Sequence, residues 1–148
     1  MRFPHYESGR HPHLRLRQLI QLKTAPEGRP DPPRRYYRPV VRAGEWLTCS
    51  GQLGLADGVL VAGGVAGQLA QALANLGAAL EAEGSSLGAV VKTTVFLIDM
   101  GEYVAMNEAY AAAFGDHLPA RSAVGVAALP MGAAVEVEAW AYSPVTGA

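Results

Sequence analysis

The chain has 148 residues, 50% hydrophobic and 17% charged, with one Cys and a formal net charge of −1. That size suits one domain in which roughly 70% of the unfolded surface is buried, without a metal or disulfide staple. The apolar fraction excludes disorder of the whole chain, and a lone Cys49 excludes an internal disulfide framework and fits a reducing compartment. The longest apolar stretch, Val59 to Leu80, is interrupted by Gln68, Gln71 and Asn75, so no membrane span is expected. The N-terminus lacks a signal-peptide core, since Arg15 and Arg17 fall inside its only leucine-containing stretch. A soluble, cytoplasmic protein is the expectation.

Charge divides the chain in two. Residues 1–35 hold eight basic residues and three acids, +5, and six of the ten prolines. Residues 36–148 hold four basic residues and ten acids, −6, and the two parts sum to −1. A basic, Pro-rich arm buries too little apolar surface to offset its ordering entropy. Residues 1–35 therefore read as an extension with a short helical piece at 14–23, and residues 36–148 as the globular domain. The arm has no aromatic interleaving for nucleic acid, and His5, His11 and His13 have no Cys or carboxylate at ligand spacing. It reads as a solvated tail or one that packs on a neighbouring subunit, with no nucleic acid and no metal.

Strands are expected at 40–42 and 46–50, reversed by Ala43-Gly44-Glu45. Asp57-Gly58 signals a hairpin between strands at 53–55 and 59–61. Leu69, Leu73, Leu76 and Leu80 then repeat at three- and four-residue steps, one apolar face of a helix, with Gly84 at its C-terminal stop. Residues 90–98 are β-branched and read as a strand. Asp99 is placed to cap a second helix whose face is Tyr103, Met106, Tyr110 and Phe114. A strand at 122–126, a turn at Leu129-Pro130-Met131-Gly132 and a strand at 134–142 follow. The last alternates, Val135, Val137, Ala139 and Ala141 against Glu136, Glu138, Trp140 and Tyr142. The pattern predicts an α+β fold, a single sheet with two helices packed on one face. Two aromatics beside two carboxylates make an odd solvent face, so a partner subunit is expected to cover it.

Several polar residues exceed what packing needs. Asn107 lies beside the apolar stripe of the second helix, either bonding a loop carbonyl or serving a site. Arg121 is the only basic residue after Lys92; it is a surface or salt-bridge arginine, or a fork of donors for a carboxylate. Glu136 and Glu138 lie about 7 Å apart on one strand face, but no sugar platform accompanies them as a glycosidase would require. Ser50 ends a strand without a nucleophile elbow, and Gly63-Gly64-Val65-Ala66-Gly67 lacks the Lys-Ser/Thr ending of a phosphate loop. From the residues alone, one Arg, one Ser, one Asn and one Glu are available to converge in an oligomer-prone domain.

The order of these residues resembles the Rid family of reactive intermediate deaminases, also called YjgF. The matching stretches are Ser50-Gly51-Gln52, Gln71-Ala72-Leu73-Ala74-Asn75-Leu76, Val91-Lys92-Thr93-Thr94-Val95-Phe96-Leu97, Asp99-Met100, Asn107-Glu108-Ala109-Tyr110, Pro119-Ala120-Arg121-Ser122-Ala123-Val124, and Leu129-Pro130 with Val135-Glu136-Val137-Glu138-Ala139. They span about Tyr37 to Tyr142. The resemblance implies a chorismate-mutase-like fold and a homotrimer with a central barrel and ligand clefts between subunits. It implies hydrolysis, without a cofactor, of 2-imino acids of the 2-iminopropanoate and 2-iminobutanoate type to 2-oxo acids and ammonia. Arg121 would bind the substrate carboxylate, and Tyr37, Ser50 and Asn107 would line the pocket. Glu136 would position the attacking water. Ala123 lines the pocket where many members carry Cys, and Gly125 and Ala128 replace larger polar residues. The alternative is a non-catalytic, small-carboxylate-binding or regulatory member. Some members have also been reported as ribonucleases, against which the acidic domain weighs.

Overall fold

The computed structural model describes residues 36–144. The expectations for residues 1–35, including the helical piece at 14–23 and the three histidines, lie outside the described residues. β1 (Val40–Ala43) and β2 (Trp46–Leu53) form an antiparallel hairpin turning at Gly44, whose φ of 62° suits glycine. β3 (Leu55–Ala56) and β4 (Val59–Leu60) pair across Asp57 (φ 49°) and Gly58 (φ 80°), the two positive φ values of a tight hairpin. This corrects the expected strands at 53–55 and 59–61. Leu53 stays in β2, and the Asn75 amide donates to both the Leu53 and Leu55 carbonyls at 3.0 Å, pinning the chain where it leaves the sheet. β3 and β4 are thus a separate two-stranded ribbon, and the fold is not a single sheet.

α1 (Gly64–Glu81) buries Leu69, Leu73, Leu76 and Leu80, the face that the leucine spacing predicts. Ser85 N–H donates to Leu80 O and Gly84 N–H to Glu81 O, both at 3.0 Å, with Gly84 at φ 73°. That pair of bonds around a left-handed glycine is a Schellman stop, as Gly84 suggested. β5 (Val90–Leu97) follows, then α2 (Tyr103–Phe114), β6 (Ala120–Gly125) and β7 (Val135–Tyr142). Asp99 does not cap α2. Its carboxylate accepts from Gly101 N–H at 2.7 Å and caps a separate one-turn helix, Met100–Glu102, because a short acceptor reaches only the donor two residues on.

The main sheet has the order β1-β2-β7-β5-β6. β5 and β6 are parallel, joined through α2, and the remaining neighbours are antiparallel. Leu47, Cys49, Val95, Leu97, Val135, Val137, Ala139 and Ala141 point to the helices and, with Met106, Tyr110 and Phe114, form one core. Thr93 is the buried polar residue among them, and its hydroxyl meets Tyr110 Oη at 2.7 Å. The other sheet face carries Trp46, Val124, Trp140 and Tyr142, each at least 42% exposed, together with Glu136 and Glu138. Nothing within the described residues covers it. Among the described residues no helix is long and apolar enough to cross a membrane.

Candidate active site

The motif Ser50-Gly51-Gln52 is a β-bulge. Cys49 pairs with Ala139 and Gln52 with Val137, so two residues of β2 oppose one of β7. The bulge turns the Ser50 hydroxyl back to the incoming chain. It donates to Arg38 O at 2.7 Å, and Ser50 N–H donates to Pro39 O at 2.8 Å. These two bonds tie the segment bearing Tyr37 against β2. The glycine at the bulge is a steric requirement, because the Glu136 carboxylate occupies the space that a Cβ on Gly51 would fill.

Tyr37, Ser50, Gly51, Gln52, Leu53 and Glu136 border one cavity of about 470 Å³, whose other walls include Asn75, Pro130 and Met131. Glu136 is half-buried and has no hydrogen-bond donor paired with it among the described residues. Burial pushes its carboxyl above the usual carboxylate range, and the charge of Glu138 on the same face adds to the rise. A carboxylate with free lone pairs and a raised pKa, facing a cavity, is suited to take a proton from water.

Arg121 and Asn107 form a second group. Arg121 Nη2 donates to Asn107 Oδ1 at 2.7 Å and to the Tyr103 hydroxyl at 3.3 Å, and Nη1 donates to Met106 Sδ at 3.3 Å. Its guanidinium carbon lies 4.7 Å from the Tyr110 ring centre and 5.7 Å from that of Tyr103. Asn107 therefore binds no loop carbonyl; it anchors a cation. Ala123 follows on the same side of β6, packed against the core.

The two groups do not meet within the chain. Arg121 is in register with Thr93 and Ala139, which face the helices, whereas Glu136 is in register with Phe96 on the opposite face. Two strand spacings and three residue rises separate their backbones by on the order of 14 Å. The structure thus brings Tyr37, Ser50 and Glu136 to one cavity, Arg121, Asn107 and Ala123 to one edge, and leaves the sets apart.

The sequence reading missed Asn75, Met131 and the hydroxyl of Tyr103. Asn75 holds the cavity wall by its two carbonyl bonds and receives Gln71 Nε2 at 2.9 Å. Its signal was a polar residue interrupting a leucine stripe. Met131, 62% exposed with φ 58°, carries no sequence signal beyond that of a turn. Two further side chains of reactive type, His117 and Cys49, have structural roles. His117 Nε2 donates to Val90 O at 2.8 Å, and burial pushes the Cys49 thiol up to about 11, leaving no thiolate at neutral pH. No group of three metal-binding side chains occurs among the described residues.

Comparison with known proteins gives the family. Residues 27–143 match the family described as Endoribonuclease L-PSP. The chain is 48% identical over 105 residues to the mouse protein named 2-iminobutanoate/2-iminopropanoate deaminase, covering 70% of this chain and 78% of that one. It is 41% identical over 136 residues to the human protein of the same name, covering 90% and 96%. The crystal structure of RidA from an Antarctic Psychrobacter superposes with a TM-score of 0.70 at 38% identity, covering 85% of this chain and 99% of that one. A family match over most of the chain, a human relative aligned along 96% of its length and the same α+β architecture agree, and the chain belongs to the YjgF/RidA family.

Proposed function

We propose that the protein hydrolyses 2-imino acids to 2-oxo acids and ammonia, as a homotrimer whose sites lie between subunits. The observation that carries the reading is the separation of Arg121 and Glu136 on opposite faces of one sheet. A carboxylate anchor and a water-activating base on opposite faces serve one small substrate only when a second copy supplies the missing half. The uncovered sheet face, with Trp46, Trp140 and Tyr142 exposed, supports burial against such a copy.

In the proposed site, Arg121 holds the substrate carboxylate by charge-assisted hydrogen bonds, contributing about 2 kcal/mol. The protonated imine carbon is already electrophilic. Glu136, from the neighbouring copy, takes a proton from water as the water oxygen bonds to that carbon and the C=N π pair moves to nitrogen. The proton then passes to nitrogen, the C–N bond breaks as ammonia leaves, and the carbinol O–H gives its proton to the Glu136 carboxylate, from which ammonia takes it up as ammonium, as the C=O bond of the 2-oxo acid forms. No cofactor is required by this sequence of steps. General-base assistance of this kind is worth on the order of 10²–10⁴ in rate. Tyr37 and Ser50 shape the cavity beside the base, Ser50 by holding Tyr37 in place. The lone, buried Cys49 supports a cytoplasmic setting.

The test is to generate 2-aminoacrylate or 2-aminocrotonate in situ with a pyridoxal-phosphate enzyme and to follow 2-oxo acid formation. Acceleration that is lost in both Arg121→Ala and Glu136→Ala supports the reading. Acceleration that survives either substitution refutes the assignment of that residue. Binding of 2-oxo acids without any acceleration favours the non-catalytic, carboxylate-binding alternative.

A further inference from the structure

The guanidinium of Arg121 is not free to offer a complete carboxylate fork. A planar guanidinium meets both oxygens of a carboxylate through Nη1 with Nη2, or through Nε with Nη2. Either arrangement uses an Nη2 hydrogen, and Nη2 already faces two acceptors, Asn107 Oδ1 at 2.7 Å and the Tyr103 hydroxyl at 3.3 Å. Asn107 holds the shorter, stronger bond. The hydrogen directed at Tyr103 is the one that a ligand oxygen shares, and that oxygen comes to rest beside the Tyr103 hydroxyl.

A phenol carries one donor hydrogen and two lone pairs. In accepting from Arg121, Tyr103 keeps its own proton, and among the described residues no acceptor is paired with it. The hydroxyl is accessible, since Tyr103 is 38% exposed at the first turn of α2. The ring is also held in place, with the guanidinium carbon 5.7 Å from its centre. An oriented, unspent donor beside a cation is a seat for an anion's second oxygen.

We propose that the Tyr103 hydroxyl donates directly to the carboxylate of a small 2-oxo or 2-imino acid, forming with Arg121 a two-residue seat. The inference rests on the reading of Arg121 as the carboxylate anchor. Tyr103 thereby adds affinity for the ionised acid and fixes the rotation of the carboxylate plane, and with it the face of C2 that is open to water.

Titration calorimetry with 2-oxobutanoate on the full chain tests this, comparing wild type, Tyr103→Phe and Arg121→Ala. Phenylalanine keeps the ring and its packing and removes only the hydroxyl. Loss of a hydrogen bond to a charged group predicts roughly tenfold weaker binding for Tyr103→Phe, with a similar rise in KM for the imine. Arg121→Ala is expected to abolish measurable binding. Wild-type affinity in Tyr103→Phe, with Arg121→Ala inactive in binding, overturns the role of Tyr103 alone. Undiminished binding in Arg121→Ala overturns the reading of the anchor and the role of Tyr103 with it.

Discussion

Replacing Gly51 by Ala isolates the placement of Glu136 from its chemistry. A Cβ at this position lies 2.6 Å from Glu136 Cδ and 3.0 Å from Cγ, where ordinary contact begins at 3.4 Å. Cδ must therefore retreat by 3.4 − 2.6, or 0.8 Å, and the carboxylate oxygens at the end of the lever move further. The obstructing atoms end a flexible side chain, so the fold accommodates the methyl group at a cost below about 1 kcal/mol. Catalysis does not, because a misplacement of about 1 Å costs on the order of 10²-fold in rate, or about 2.7 kcal/mol. Gly51→Ala is expected to stay folded, its urea midpoint lowered by less than about 1 M, while kcat/KM for imine hydrolysis falls about a hundredfold. A stable variant with activity within twofold of wild type would refute the idea that the bulge glycine exists to seat this carboxylate.

The acid limb of the kcat/KM profile should lie above the ordinary carboxylate range, since Glu136 must be ionised to act and burial raises its pKa. Glu138→Gln removes the second cause of that rise, so the limb should move to lower pH; no movement in a pH–rate profile contradicts the electrostatic assignment. The same shift makes ionisation of Glu136 unfavourable to folding. The associated stability is complete below the unfolded pKa and is lost as pH rises through the folded one. Asn107→Leu removes the 2.7 Å acceptor on Arg121 Nη2 and should lower kcat/KM roughly ten- to hundredfold through KM, measured under the same assay.

Much of this fold is legible in the sequence wherever burial is periodic. β7 alternates along its whole length because one face meets the helices, and α1 repeats its leucines because one stripe meets the sheet. Turn chemistry is equally readable at Asp57-Gly58 and Gly84, where positive φ values demand those residues. The bulge at Ser50-Gly51 was hidden, since it depends on the two-against-one register with β7 and on a carboxylate from far along the chain. Asp99 has the sequence of a cap for α2 but caps Met100–Glu102, because capping is local whereas the start of α2 goes with the burial of Met106 and Tyr110. Arg121, Asn107 and Glu136 were identifiable as polar residues that packing does not need. That Glu136 faces away from the helices is legible in the alternation of β7, whereas the pairing of Arg121 with Asn107 joins β6 to α2 across the tertiary fold, which no local pattern encodes.

Mixing two inactive variants tests the shared site most directly. Arg121→Ala and Glu136→Ala chains, unfolded, combined in equal amounts and reassembled, should regain imine hydrolysis. Random assortment pairs an intact Arg121 edge with an intact Glu136 cavity at about a quarter of the interfaces, so about a quarter of wild-type activity should return. A mixture as inactive as its separate components would contradict a site built from two copies.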